Sequence, residues 1–140
     1  MTLKHRTEHL VKAVAEGVVY ALRDALELLE EQGIRAEKVI ASGGGAKHGL
    51  WLQCQADIFG KPVYTTNVME EACVGAAIVA GTGVGVFRTV REGCDRVVAL
   101  DERYYEPNPR HKELYDHYYA LFKQLYIRNR ELFTRWTPDC

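Results

Sequence analysis

The sequence has 140 residues, about one domain's length, and 47% of them are apolar, enough for a real core. Its 18 basic and 19 acidic side chains leave a net charge of −1. That balance argues against a nucleic-acid footprint, which needs clustered excess Lys and Arg, and it supplies no polybasic patch for a membrane surface.

Met1 to Leu10 is polar and charged, so no secretory signal is expected there. Thr7 to about Glu31 reads as a long helix. Val11, Val14, Val18, Leu22, Ala25 and Leu29 recur at spacings of three and four, and Leu10, Ala21, Leu26 and Leu28 widen that face. Gly33 fits the position just beyond the helix end. Gly17 sits inside the helix at a cost of ~1 kcal/mol relative to Ala, and close packing is one explanation for it.

Glu37 to Ser42 reads as a short strand with β-branched Val39 and Ile40. Gly43-Gly44-Gly45-Ala46-Lys47 follows at once, and an amphipathic helix is expected from Lys47 to Phe59, with Leu50, Trp51, Cys54 and Ile58 on its apolar side. Gly60 and Pro62 stop it. Val63-Tyr64-Thr65 makes a second strand, and strand–helix–strand in so few residues implies a parallel pair. Three successive glycines can take positive φ and carry no Cβ to hold a ligand away. A helix opening behind such a turn points free N–H groups at the space above it, which suits a nucleotide's phosphate or sugar edge. The same residues fit a tight strand-to-helix turn with no ligand at all. The phosphate-loop pattern is absent, because the glycines are contiguous and His48 follows Lys47. The dinucleotide Gly-x-Gly-x-x-Gly is absent as well. Gly81-Thr82-Gly83-Val84-Gly85 follows a helix and reads as its exit loop.

Asn67 with Glu70 resembles a helix N-cap and its N3 acid, and Glu71 adds negative charge to the first turn. The helix through Ala72–Ala80 is apolar nearly all round and is expected to be buried on most sides. Ala72 to Phe87 falls short of the ~20 residues of a membrane span. Thr89 with Glu92 opens a short helix to about Arg96. Val97 to Asn108 reads as a connecting segment. Asn108-Pro109 starts the last helix, which runs to about Leu132. Its stripes are Leu114, Tyr118, Leu121, Leu125 and, beside them, Tyr115, Tyr119, Phe122, Tyr126; both read as packing surface. Residues 1–133 form one domain portion and Thr134 to Cys140 a loose tail.

Cys54, Cys73, Cys94 and Cys140 form no C-x-x-C pair, so the spacing gives no zinc site. They are read as reduced thiols of a cytoplasmic protein. The five histidines are scattered and read as solvated, and no metal ligand is assigned.

Taken together, Gly43-Gly44-Gly45-Ala46-Lys47, Trp51-Leu52-Gln53, Ala56-Asp57, Pro62-Val63, Glu71-Ala72, Gly75-Ala76-Ala77 and Tyr105-Glu106-Pro107 resemble the C-terminal domain of FGGY-family carbohydrate kinases, in the xylulokinase-like order and spacing. The resemblance runs from the first helix to about Tyr126. It implies an α/β fold, a partial actin-like ATPase (ribonuclease H-like) domain with short parallel strands and packed helices. It implies ATP-dependent phosphorylation of a sugar or polyol hydroxyl, with ATP and Mg²⁺ as cofactors. By motif match, Gly43, Gly44, Gly45 and Ala46 lie against the adenosine and nearby phosphates, with Lys47 beside them. His48 stands where many relatives carry serine.

Family members are roughly three times longer, and their catalytic carboxylate and sugar pocket lie in an N-terminal domain that this sequence lacks. No acid here matches the general base, so no catalytic residue is named. Asp24, Asp57, Asp95, Asp101 and Asp116 read as helix-surface or loop residues. The chain is expected to supply the nucleotide side only, to meet sugar through the missing domain, and to be inactive alone. The alternative is a non-catalytic module that binds nucleotide weakly or only self-associates. Unpaired strand edges and an uncovered apolar helix make a homodimer the expected state.

Overall fold

The structure is a computed structural model that describes residues 2, 4–68 and 70–136. In chain order the elements are α1 (Thr7–Glu31), β1 (Val39–Ile40), a 3-10 turn (Gly44–Lys47), α2 (Gly49–Phe59), β2 (Val63–Thr66), α3 (Glu71–Gly83), α4 (Val90–Val97), β3 (Leu100–Tyr105), a second 3-10 turn (Pro109–His111) and α5 (Lys112–Trp136). They form two compact units. One contains α1, the last turn of α2 (Asp57–Gly60) and the chain from Pro107 through α5; the other contains Ala36–Ala56 and Lys61–Glu106. No helix among the described residues is long and apolar enough to cross a membrane.

The second unit is built on a three-stranded sheet of order β1-β2-β3. β1 runs parallel to β2, with Val39 opposite Val63 and Ile40 opposite Tyr64. The expected parallel pair is therefore present, though β1 is two residues long rather than six. β3 corrects the reading of Val97–Asn108 as a connection. It pairs antiparallel with β2, Val63 opposite Tyr105 and Tyr64 opposite Tyr104. The Tyr64 and Tyr104 rings stack at 4.7 Å. β3 has no fully buried residue and holds on through backbone pairing and that stack, so it carries no apolar alternation for a sequence to display.

Asn67 does not cap α3. Its side chain spans to the approach of β3, accepting from the Ala99 amide at 2.8 Å and donating to Val97 O at 3.2 Å. α3 begins four residues later, with Glu70 at its N-cap and no side-chain cap bond. Nor is α3 buried on most sides: Ile78 is its one buried residue. That side chain packs where a Cβ on Gly93 of α4 would lie 2.6 Å from Ile78 Cγ2, so only glycine allows the two helices to approach this closely. α4 is capped as expected, with Thr89 Oγ1 accepting from the Glu92 amide at 3.1 Å.

In the first unit, α1 has the expected bounds and ends in a Schellman arrangement: the Gly33 amide donates to Glu30 O and the Ile34 amide to Leu29 O, with Gly33 at φ +87°. A Cβ on Gly17 would meet nothing within 4 Å, so close packing does not explain that residue. The face α1 buries is not its longest apolar stripe. Val19 and Tyr20 are buried, while Val11, Val14, Val18, Leu22 and Leu29 stay exposed, Val14 at 70%. Tyr20 meets α5 through Tyr115, Tyr119 and Phe122 at ring separations of 6.5, 6.1 and 5.6 Å. Of the two stripes on α5 only this aromatic one packs; Leu114, Tyr118, Leu121 and Leu125 are exposed, and so is Tyr126. Asn108 caps as expected, its Oδ1 accepting from the Arg110 amide at 3.1 Å ahead of Pro109, but what it opens is the 3-10 turn Pro109–His111, and α5 follows only from Lys112. It continues to Trp136, so the first three residues of the expected tail are helical, while 137–140 lie outside the described residues.

Two acids read as surface groups are structural. Asp57 is buried and accepts from the Asn108 amide at 2.8 Å, while its other oxygen meets His111 Nδ1 at 2.7 Å. His111 is thus partnered rather than merely solvated. Asp116 pairs with Arg23 at 2.8 Å, and Arg23 also donates to Ile58 O at 3.0 Å and stacks over the Tyr119 ring at 4.3 Å. One guanidinium therefore ties α1 to α5 and to the last turn of α2, where the free carbonyls and the helix dipole favour a cation. Arg23→Ala is expected to lower unfolding stability by about 2 kcal/mol, the scale of a hydrogen bond to a charged group. Arg23→Lys should recover less than half, because an ammonium lacks the planar fork. Urea midpoints of the three proteins measure this; equal midpoints for wild type and Arg23→Ala would remove Arg23 from its central role.

Candidate functional site

The site begins where β1 ends. After Ile40 the chain turns through Ala41, Ser42 and Gly43 into the 3-10 turn Gly44–Lys47. Gly43 has φ +74° and ψ −164°, a region essentially restricted to glycine. The Ala46 amide closes the turn on Gly43 O at 3.1 Å, and the His48 amide on Gly45 O at 3.2 Å. His48 O then accepts from the Trp51 and Leu52 amides, so α2 starts at Gly49 and not at Lys47. The extra 3-10 turn is the tighter connection that glycines permit between a strand end and a helix.

The three glycines differ in what requires them. Gly43 needs its backbone conformation. A Cβ on Gly45 would sit 3.0 Å from Trp51 Nε1, so Gly45 answers a close approach of α2. A Cβ on Gly44 would meet nothing within 4 Å, and its φ is not in the left-handed range.

A cavity of about 180 Å³ opens beside the turn. The carboxyl ends of the parallel strands form its base, through Ala41 and Ser42 after β1 and Thr65 and Thr66 on β2. Ligands of open α/β sheets bind outside the strands' carboxyl ends. Of the five residues expected from the sequence, Gly43, Ala46 and Lys47 line this cavity; Gly44 and Gly45 belong to the same turn but not to the lining. Glu71, from the start of α3, accepts from the Gly43 amide at 3.0 Å. Asp101 lines the cavity from β3 and accepts from the Thr65 hydroxyl. Its position follows from a register shift between Tyr64 and Thr66, where β2 advances two residues and β3 four, from Tyr104 to Leu100. Irregular pairing of this kind re-aims side chains beside sites.

Glu71 and Asp101 line the cavity without being expected there from the sequence. In the sequence Glu71 shows as a first-turn acid and, with Ala72, as part of the family pattern, neither of which places it at the turn, and Asp101 lies in a strand with no periodic signal. Of the remaining acids, Asp24 accepts from Tyr119 at 3.1 Å and Asp95 pairs with Arg91. Neither enters the cavity. Among the described residues no group of three or more His, Cys, Asp or Glu side chains comes together as a metal site. Among the described residues Cys54, Cys73 and Cys94 form no disulfide; Cys140 lies outside the described residues.

A parallel strand pair with a glycine turn and a cavity at its carboxyl end is an α/β arrangement of the kind in which ligand sites form. The profile of the FGGY family of carbohydrate kinases, C-terminal domain, matches residues 1–84. The chain belongs to that family. Xylulose kinase of Staphylococcus epidermidis is 33% identical over 129 residues, which is 92% of this chain and 26% of that protein. Autoinducer-2 kinase of Yersinia pestis is 43% identical over 89 residues, 64% of this chain and 17% of that protein. The crystal structure of xylulose kinase from Rhodospirillum rubrum superposes with a TM-score of 0.81 at 29% identity, over 96% of this chain and 27% of that one. The fold is thus a part of the actin-like ATPase fold of these sugar kinases. The chain spans about a quarter of the length of the curated xylulose kinases it matches.

The turn makes a contrast that can be measured. Gly43→Ala forces a Cβ into a glycine-only conformation and is expected to cost roughly 1–3 kcal/mol. Gly44→Ala meets no such obstacle and should be neutral or stabilising by up to ~1 kcal/mol through the unfolded chain. Chemical denaturation of both variants tests the pair, and equal losses at the two positions would contradict the assigned conformations.

Proposed function

We propose that this chain is the nucleotide-side portion of an ATP-dependent carbohydrate kinase. The observation that carries the reading is the cavity at the carboxyl ends of β1 and β2 with the glycine turn as its wall. Gly43, Gly44, Gly45 and Ala46 present backbone to the nucleotide, and Lys47 lies beside them. The cavity is smaller than the ~300–1,000 Å³ of a complete ligand pocket, so it takes one part of ATP while the rest overhangs Gly44. Gly44 supports this, because the fold gives no internal reason for its missing side chain. The described residues fit a nucleotide wall and do not gather a metal-ligand set, so a Mg²⁺ would enter on the phosphates of ATP. Phosphoryl transfer rests on positioning and electrostatic stabilisation, and this chain contributes positioning of the nucleotide. The sugar and the general base belong to the N-terminal portion found in longer family members.

A wall without its opposite half binds weakly. ATP is expected to bind this chain with a dissociation constant of roughly millimolar, about −4 kcal/mol. Gly44→Val should abolish that binding by blocking backbone approach, and no sugar should elicit ADP formation above a no-protein control. An NMR titration in which amides 43–46 stay unmoved at saturating ATP would refute the assignment.

A second reading, self-association, is favoured by the exposed Val11, Val14, Val18 and Leu22 of α1 and Leu114, Tyr118 and Leu121 of α5. Covering one large apolar side chain is worth ~1.5–3 kcal/mol, so several such residues together favour a dimer. Light scattering coupled to gel filtration at roughly 100 μM, about −5.5 kcal/mol as a dissociation constant, is expected to give the dimer mass. A monodisperse monomer rules it out.

A further inference from the structure

Glu71 is where the turn meets the rest of the cavity. Its carboxylate stands at the first residue of α3, where the helix dipole favours an anion, and its Oε1 lies 3.0 Å from the Gly43 amide. Gly43 is the residue whose φ of +74° gives the turn its course. The contact joins positions 28 residues apart, so it fixes the turn against an element formed independently of it. It also has an electrostatic consequence. The Gly43 N–H is the donor that a phosphate oxygen would take at a glycine turn. Here that donor is already held by a carboxylate. Asp101 adds a second carboxylate to the same cavity, against the one cation of Lys47.

We propose that Glu71 is a positioning and specificity-determining residue: it holds the glycine turn open and keeps anions off the Gly43 amide, so that the cavity admits an uncharged, hydroxyl- or amine-bearing part of the ligand. This rests on the cavity being part of a nucleotide site. The nucleoside end then enters the cavity and the phosphates lie outside it. Two carboxylates facing hydroxyl or amine hydrogens form charge-assisted hydrogen bonds; facing a polyphosphate, they repel it.

The test uses the full 140-residue chain, ¹⁵N-labelled, as wild type, Glu71→Gln and Glu71→Ala. Adenosine and inorganic tripolyphosphate are titrated separately. In wild type, adenosine should shift amides 43–46 and tripolyphosphate should not. Glu71→Gln keeps an acceptor oxygen and loses the charge. The Gly43 amide should hold its downfield position, adenosine should bind more weakly than to wild type but less weakly than in Glu71→Ala, and tripolyphosphate should now perturb the turn. Glu71→Ala should move the Gly43 amide upfield and weaken adenosine about fivefold, the scale of one lost hydrogen bond, with circular dichroism unchanged. A Gly43 amide that is identical in wild type and both variants overturns the positioning role. Tripolyphosphate shifting the wild-type turn as strongly as adenosine overturns the selectivity. If no ligand moves any amide, the nucleotide reading fails, while the Gly43 amide in the variants still decides whether Glu71 holds the turn. Should Glu71→Ala not fold, the Glu71→Gln response to tripolyphosphate carries the decision.

Discussion

Two backbone hydrogen bonds, from the Val39 amide to Pro62 O at 2.9 Å and from the Ala41 amide to Tyr64 O at 2.8 Å, join β1 to β2, and everything at the site depends on them. β1 is too short to hold a place by its side chains, and Ile40 is half exposed. Its position is set by those bonds and by the buried Val63 opposite Val39. Once the pair is aligned, the chain must leave β1 beside Thr65 and Thr66. The glycine turn and the cavity follow from that exit. β3 secures the same arrangement from the other edge of β2, through the Tyr64–Tyr104 stack. Gln53 of α2 donates to Glu106 O at 2.8 Å just beyond β3, so the helix behind the turn is held to the sheet by its least predictable strand.

The first unit follows a different rule. α1 could have buried its Val and Leu stripe, yet it meets α5 through rings and hydrogen bonds. The Tyr119 hydroxyl lies 3.1 Å from Asp24 and 3.0 Å from Glu27, and Lys123 reaches Glu27 at 3.2 Å. Burial pushes the Tyr119 phenol up, and the neighbouring Glu27 and Asp24 push it further. For Glu27 burial acts upward too, but the Tyr119 hydroxyl, Lys123 and Arg23 outweigh it and leave its carboxyl below the usual value. Such a seam is directional, because each member fits only one alignment of the two helices. The apolar stripe is left exposed on the same helix, which is surface that an additional chain segment or a second copy can cover.

These outcomes mark what the sequence displays and what it does not. Helix existence was legible wherever periodicity or capping chemistry was strong: α1 to the residue, α4 from Thr89, α5 from Asn108-Pro109. The parallel pair was legible from its glycine and proline punctuation. Burial was not, because an amphipathic stripe says that a face is apolar without saying what meets it; Val14 and Leu121 are exposed for that reason. β3 was invisible because backbone pairing leaves no composition signal in Leu-Asp-Glu-Arg-Tyr-Tyr. Asn67 misled because an amide that caps a helix and one that latches a distant loop look alike in sequence. At the site, the turn was legible and its partners were not, since Glu71 and Asp101 reach it only through tertiary structure.

The glycine triplet shows how far a motif can be resolved into causes. Glycine in a position that alanine could occupy costs ~0.5–1 kcal/mol of backbone entropy. Gly43 offsets that cost through a conformation no other residue takes easily, and Gly45 through room for the Trp51 ring. Gly44 has neither reason within this chain. It lies between the two, on the exposed outer surface of the turn, where a Cβ would stand between the backbone and whatever approaches from solvent. The triplet is therefore one conformational requirement, one packing requirement and one position that the packing of this chain does not require.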